Sequence, residues 1–150
     1  MGVRRMAVVS TFSEKRREKQ WKFERGVLRQ LSLKQLKEDV HEHFKPVVPF
    51  YFLSHPFLLD PCMDMAIDAY LVGAEYGRFG YLGESVSEVK ARCEDELTDI
   101  SFSLFNLLQG WNGDSDYLLD SIKISSDVFI DRWWEKGFKE AEKRHRLRLH

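Results

Sequence analysis

Cysteine and proline are scarce in this chain. Its 150 residues hold two cysteines, Cys62 and Cys93, and four prolines. Two cysteines are too few for a secreted framework of disulfides, and neither belongs to a CxxC pair. Both thiols sit among apolar positions at helical spacing and read as reduced, buried, structural groups. Long apolar runs are missing too. The longest, "PVVPFYFL" from Pro46 to Leu53, is far short of the roughly 18 residues a membrane span needs. Arg4 and Arg5 precede no apolar stretch of signal-peptide length, and Met6 reads as an alternative start. The location these features predict is the cytoplasm, with no membrane span. Three catalytic signatures are also missing: a Gly-x-Ser-x-Gly elbow, a Gly-Lys-Ser/Thr phosphate loop, and a strand leading into a glycine fingerprint.

Aromatic residues are plentiful at 13%, and apolar residues make up 43%, enough to build a core. Net charge is −1, but the charge is segregated. Residues 1–25 carry eight Lys/Arg against three acids, and residues 136–150 carry six against two. The stretch between carries nine against nineteen. Basic ends on an acidic body can meet that body, a second copy or a polyanion. An overall pI near 6.5 argues against a dedicated nucleic-acid binder, even with Trp21 and Phe23 set among the N-terminal charges.

Apolar periodicity near 3.6 predicts four main helices and almost no strand, an all-α single-domain bundle. Residues 1–12 read as a flexible N-terminal segment, and residues 13–150 as one helical domain with a basic C-terminal tail. The first helix covers residues 13–44, with a break near Ser32, where Ser32 and Gln35 resemble a capping box. An apolar linker, residues 45–60, should pack over the core and hold a short helix near Pro49 to Leu53. The second helix, opened by Asp60-Pro61, is apolar on most faces and reads as central. The third runs over residues 86–109 with Phe102 and Phe105 widening its buried face. The fourth spans residues 121–146, with an interruption expected at Ser125-Ser126.

Between the second and third helices lies "YLVGAEYGRFGYLGES", residues 70–85. Gly73 and Gly77, four apart, predict close approach of a neighbouring helix, since glycine inside a helix costs about 1 kcal/mol against alanine. Gly80 and Gly83 fit a left-handed C-terminal cap and a turn. Ser85 with Glu88 forms a second capping box. The short connection predicts antiparallel packing of helices two and three.

The segments "CMDMAIDAYLVGAEYGRFGYLGES" and "FIDRWWEKGF" resemble the YbaK-type family, small uncharacterised proteins of spore-forming bacilli, distinct from the tRNA-editing protein of that name. The resemblance runs from about Met6 through the basic tail. It rests on Ala66, Tyr70, Leu71, Gly80, Tyr81, Gly83, Glu84 and Ser85, then Trp133, Trp134 and Gly137. It implies a cytoplasmic α-helical protein and brings no activity, cofactor or catalytic residue.

Two functional readings follow from the residues. Trp133 and Trp134 are adjacent on a helix and diverge by about 100°. One is expected in the core, the other against the linker, a ligand or a partner. This favours a non-enzymatic interaction module without cofactor, acting through a protein partner or self-association. Its candidate surface is Trp133, Trp134, Tyr81, Glu84, Arg144, Arg146 and Arg148. The alternative is a Mg²⁺-dependent all-α nucleotide hydrolase whose metal is held by Asp64, Asp68, Glu96 and Asp99, because hard oxygen ligands from two helices suit that ion. Glu96-x-x-Asp99 matches half of the carboxylate pattern such enzymes carry, and the first half is missing. His41 and His43 are two apart on a helix and point away from each other, so with His55 they predict no metal site.

Overall fold

A computed structural model of the chain describes residues 25–26, 28–29, 31–111 and 116–148, with the side chain of residue 148 left out. Residues 1–31 and 32–150 are separate compact units. In the first, a helical turn holds Arg25, Gly26 and Leu28, and the Arg29 N–H donates to the Arg25 carbonyl at 3.0 Å. The first-helix expectation for residues 13–24, with Trp21 and Phe23, lies outside the described residues.

The second unit is helical, and no strand occurs among the described residues. Helix α1 (Leu33–Phe44) starts where the sequence predicts a break: the Ser32 hydroxyl accepts the Gln35 N–H at 3.3 Å. It stops before Pro46 and Pro49. The apolar linker folds into α2 (Tyr51–Ser54) and a 3₁₀ turn (Pro56–Leu58) and buries Val48, Phe52 and Leu58. Helix α3 (Leu59–Glu75) grows directly out of that turn. Its N-cap is therefore Leu58, and Asp60 lies in the first turn instead of capping it.

Next come α4 (Gly77–Tyr81), α5 (Val86–Arg92) and α6 (Glu94–Gln109). Gly83 takes φ 107°, the Glu84 N–H donates to the Phe79 carbonyl, and the Gly83 N–H donates to the Gly80 carbonyl, each at 3.0 Å. These are the two bonds of a Schellman cap, so the left-handed residue is Gly83. Gly80 lies within α4. Ser85 caps α5 by accepting the Glu88 N–H at 3.2 Å.

The predicted single helix over residues 86–109 is broken at Cys93, where φ is −101° and ψ is 6°. Charges flank the break as helix dipoles favour: Lys90 and Arg92 close α5, and Glu94, Asp95 and Glu96 open α6. After a 3₁₀ turn (Asp116–Leu118), α7 (Leu119–Arg148) runs 30 residues through Ser125-Ser126 without interruption.

Helix α7 is the spine of the unit. It packs most extensively on α3, then on α4 and α6, and touches α1. The predicted close approach at Gly73 and Gly77 is real, but the helix that approaches is α7, far along the chain. A Cβ on Gly73 would strike the Trp134 carbonyl oxygen and lie 2.8 Å from the Phe138 nitrogen. One on Gly77 would lie 2.5 Å from the Ala141 Cβ. From the other side, a Cβ on Gly137 would strike the Tyr70 carbonyl oxygen. Two backbones touch at this crossing because neither carries a side chain there. The contact between α3 and α6, though present, is smaller.

Candidate functional site

The sequence offers Trp133 and Trp134 as candidate surface anchors. Neither faces outward: Trp133 is 3% exposed and Trp134 0%. The expectation that one would leave the core fails because α7 is covered over about half of its circumference. Its buried residues include the neighbouring pairs Phe129/Ile130 and Trp133/Trp134. Trp133 turns toward α1, where its Nε1 donates to Asp39 Oδ2 at 2.7 Å, and Arg132 pairs with the other oxygen of that carboxylate. The Lys136 ammonium lies 4.3 Å from the Trp133 ring centroid. Trp134 stacks on Phe138, with centroids 5.2 Å apart and planes at 8°, beneath the Lys90 ammonium. Both indoles hold helices together.

The turn residues are also tied down. Glu84 accepts from Arg92 Nε at 2.9 Å, and the same guanidinium lies 4.5 Å over the Phe79 ring, which clamps the turn to α5. Tyr81 is partly exposed and stacks on His145 at 6.4 Å. In the basic tail, Arg146 pairs with Glu142 at 2.7 Å. Arg144 keeps one guanidinium nitrogen buried with no hydrogen-bond partner among the described residues. The side chain of Arg148 lies outside the described residues.

The four carboxylates of the hydrolase reading do not gather. Among the described residues, no group of three or more His, Cys, Asp or Glu is placed to hold a metal. Glu96 accepts from the Tyr76 hydroxyl at 3.3 Å. Burial, and then the neighbouring Asp64, raise the Asp68 pKa. That pair shares one turn of α3 and is not joined by Glu96 and Asp99. Of the histidines, His43 Nε2 donates to the Ser125 carbonyl at 2.8 Å, and His41 lies edge-on to Phe52. Burial pushes the Cys62 thiol up to about 12 and the Cys93 thiol up to about 11, so neither is a nucleophile at neutral pH.

A groove of about 500 Å³ opens between α5, α6 and α7. Apart from Glu94, its charges answer one another. Asp127 accepts from Ser101 Oγ and from Lys123 at 3.0 Å, and Lys90 stands 3.9 Å from Asp131. Charges already paired across the groove offer little unspent interaction to a guest.

Large apolar side chains left in water lie elsewhere. Phe50, Leu53, Phe57 and Trp111 are exposed to between 45% (Trp111) and 76% (Leu53). The Phe57 and Trp111 ring centroids are 5.0 Å apart, and His55 is 4.9 Å from Trp111. The linker predicted to cover the core does so with alternate side chains only: Val48, Phe52 and Leu58 go in, and Phe50, Leu53 and Phe57 stay out. Trp111 sits past the C-terminal end of α6 and stays exposed. Phe102 is also outward, on the exposed face that Asp95, Asp99 and Asn106 share at helical spacing. The sequence signal for this ledge was the unusual apolarity of a segment between helices.

Three comparisons bear on this arrangement. A family model described as a protein of unknown function (DUF2521) matches residues 6–150. The uncharacterized protein YbaK of Bacillus subtilis (strain 168) is 33% identical over 146 residues, covering 96% of this chain and 99% of the relative. No solved structure matches the chain. These agree with the resemblance read from residues 62–85 and 129–138, and neither the family nor the relative has a named activity. No helix among the described residues is long and apolar enough to cross a membrane.

Proposed function

The chain belongs to the DUF2521 family of proteins of unknown function, and from its surface we propose that it is a protein-interaction module, binding a protein partner and carrying out no chemistry of its own. One observation carries the reading. Four large apolar side chains, Phe50, Leu53, Phe57 and Trp111, stand exposed on one segment and the adjoining helix end, while smaller residues nearby are buried. Exposed aromatic clusters supply binding energy when a partner covers them, and tryptophan is a favoured anchor. Of the surface expected from the sequence, Tyr81 and Arg146 are accessible enough to contribute, and Trp133 and Trp134 support the scaffold.

Photo-crosslinking in the native host tests this. A photoreactive phenylalanine analogue at position 57 or 111 should give a discrete higher-mass protein adduct, and one at Lys139, on the exposed face of α7, should not. Adducts absent from all three positions, or equally abundant at all three, would remove the ledge as a binding surface.

A further inference from the structure

The distribution of Lys and Arg says what kind of partner fits. Residues 46–77 contain Asp60, Asp64, Asp68 and Glu75 and no Lys or Arg. Residues 93–122 contain Glu94, Asp95, Glu96, Asp99, Asp114, Asp116 and Asp120, and again no Lys or Arg. At the chain's overall frequency, about nine cations would be expected across these two stretches. They are not scattered in space. They supply α2, α3 and α6, and α3 packs on α6. The exposed ledge belongs to the same two stretches, with Phe50, Leu53 and Phe57 in one and Trp111 in the other. Asp60 and Asp64 open α3 directly after Phe57, and Asp95 and Asp99 share the outward face of α6 with Phe102. The described cations of the unit sit on α1 and the residue after it, on α4, α5 and α7.

An apolar ledge built from stretches that hold acids and no Lys or Arg, with exposed Asp60 and Asp64 following Phe57, is selective. It repels phosphate backbones and anionic lipid surfaces. Two ledges meeting face to face would set carboxylate against carboxylate, which disfavours a symmetric pair of this chain. We infer that the ledge docks a basic, apolar segment of another protein, one that places large apolar side chains against Phe57 and Trp111 and presents Lys or Arg to the surrounding acids. This rests on the interaction reading above and adds the partner's chemistry to it.

The test titrates the full chain against two dye-labelled synthetic amphipathic helical peptides. They share one Leu/Phe face and differ only in carrying Lys/Arg or Glu at the polar positions. The basic peptide should bind and raise the anisotropy. Its affinity should fall roughly tenfold between 50 and 300 mM salt, as screening of facing charges requires. It should fall about tenfold in Trp111→Ala and in Leu53→Ser; the exposed Leu53 should leave the melting temperature unchanged, and Trp111, which packs on Phe57 and His55, should lower it by only a few degrees. Asp60→Asn with Asp64→Asn, the exposed acids that follow Phe57 on α3, should weaken it and flatten the salt dependence. The acidic peptide should not saturate. Equal binding of both peptides, lost in Trp111→Ala, overturns the charge inference and leaves the apolar ledge standing. No binding of either peptide, or binding that Trp111→Ala and Leu53→Ser leave intact, overturns both. A stable dimer in solution that Trp111→Ala dissolves overturns the assignment to a second protein.

Discussion

Replacing Gly137 with alanine tests the central joint of the fold. Gly137 lies inside α7, and its Cα faces the backbone of Tyr70 on α3. A Cβ there would stand 2.7 Å from the Tyr70 carbonyl carbon and 2.9 Å from its Cα, and closer still to the carbonyl oxygen. Carbon atoms in comfortable contact lie about 3.5–4.0 Å apart, so the two helices must part by about 1 Å. A gap of that size costs a packed pair of atoms a quarter to a half of its attraction. The side chains losing contact are the core of this unit: Tyr70, Ala74, Trp134, Phe138 and Ala141. Overpacking costs about 1–3 kcal/mol, and the obstacle here is backbone, which cannot rotate away, so the upper end applies. Alanine's better helix propensity returns about 1 kcal/mol. The net expectation is a loss of about 2 kcal/mol, or a melting temperature lower by about 4–8 °C in a protein of this size.

Urea denaturation followed by circular dichroism reads this directly. The midpoint should fall with the slope unchanged, since the native state stays compact. Gly73→Ala attacks the same joint from α3 and should cost a similar amount. The double variant should cost less than the sum, because helices already parted admit the second methyl group. Gly83→Ala is the contrast. Nothing lies within 4 Å of its added Cβ, so its cost of about 1–2 kcal/mol comes from the left-handed backbone and should add independently to that of Gly137→Ala. A Gly137→Ala protein within about 0.5 kcal/mol of the parent would refute the backbone contact, and strict additivity of Gly73→Ala with Gly137→Ala would refute the shared joint.

Other expectations follow from single side chains. Asp39→Ala leaves Trp133 Nε1 and Arg132 without their carboxylate. It should cost about 1.5–3 kcal/mol in the same denaturation assay, with Asp39→Asn costing less because one acceptor remains. His43 has its pKa lowered, chiefly by burial, with Arg132 adding to the effect and the Ser125 carbonyl and Asp39 opposing it. The unfolded chain therefore binds a proton near pH 6.5 that the folded chain refuses until lower pH. Stability should fall as pH drops from 7 toward 5, and fall less steeply in His43→Gln. Cys62 and Cys93 are fully buried, with thiols pushed up to about 12 and about 11. At pH 8, iodoacetamide should label the folded protein far more slowly than the urea-unfolded one, by mass spectrometry, and prompt labelling of the native chain would contradict that burial.

Signals that act within a few residues were legible in the sequence. Ser32 and Ser85 cap helices as their side chains predict, and prolines end α1. The break at Cys93 was missed although it was written in charge, with Lys90 and Arg92 followed at once by Glu94, Asp95 and Glu96. Apolar periodicity at Val89, Cys93 and Leu97 runs unbroken through the break, and that stronger pattern hid the weaker electrostatic one. The glycine spacing announced a close crossing but could not say with what, because periodicity describes one helix and a crossing belongs to two. Gly137 carried the complementary half of that message, inside a long charged helix where glycine has no local reason to be. The tryptophan pair misled for the same reason. A divergence of 100° places one ring outside only if a helix is covered on a narrow stripe, and α7 is gripped by α1 on one flank and by α3 on the other. Once the core takes both indoles, the linker and the end of α6 leave Phe50, Leu53, Phe57 and Trp111 exposed, alongside residues scattered over other elements such as Leu33, Leu82 and Ile124. Local periodicity accounts for neither, and the six large apolar side chains exposed within the stretches that lack Lys and Arg, Phe102 and Tyr117 among them, are the feature on which the proposed partner rests.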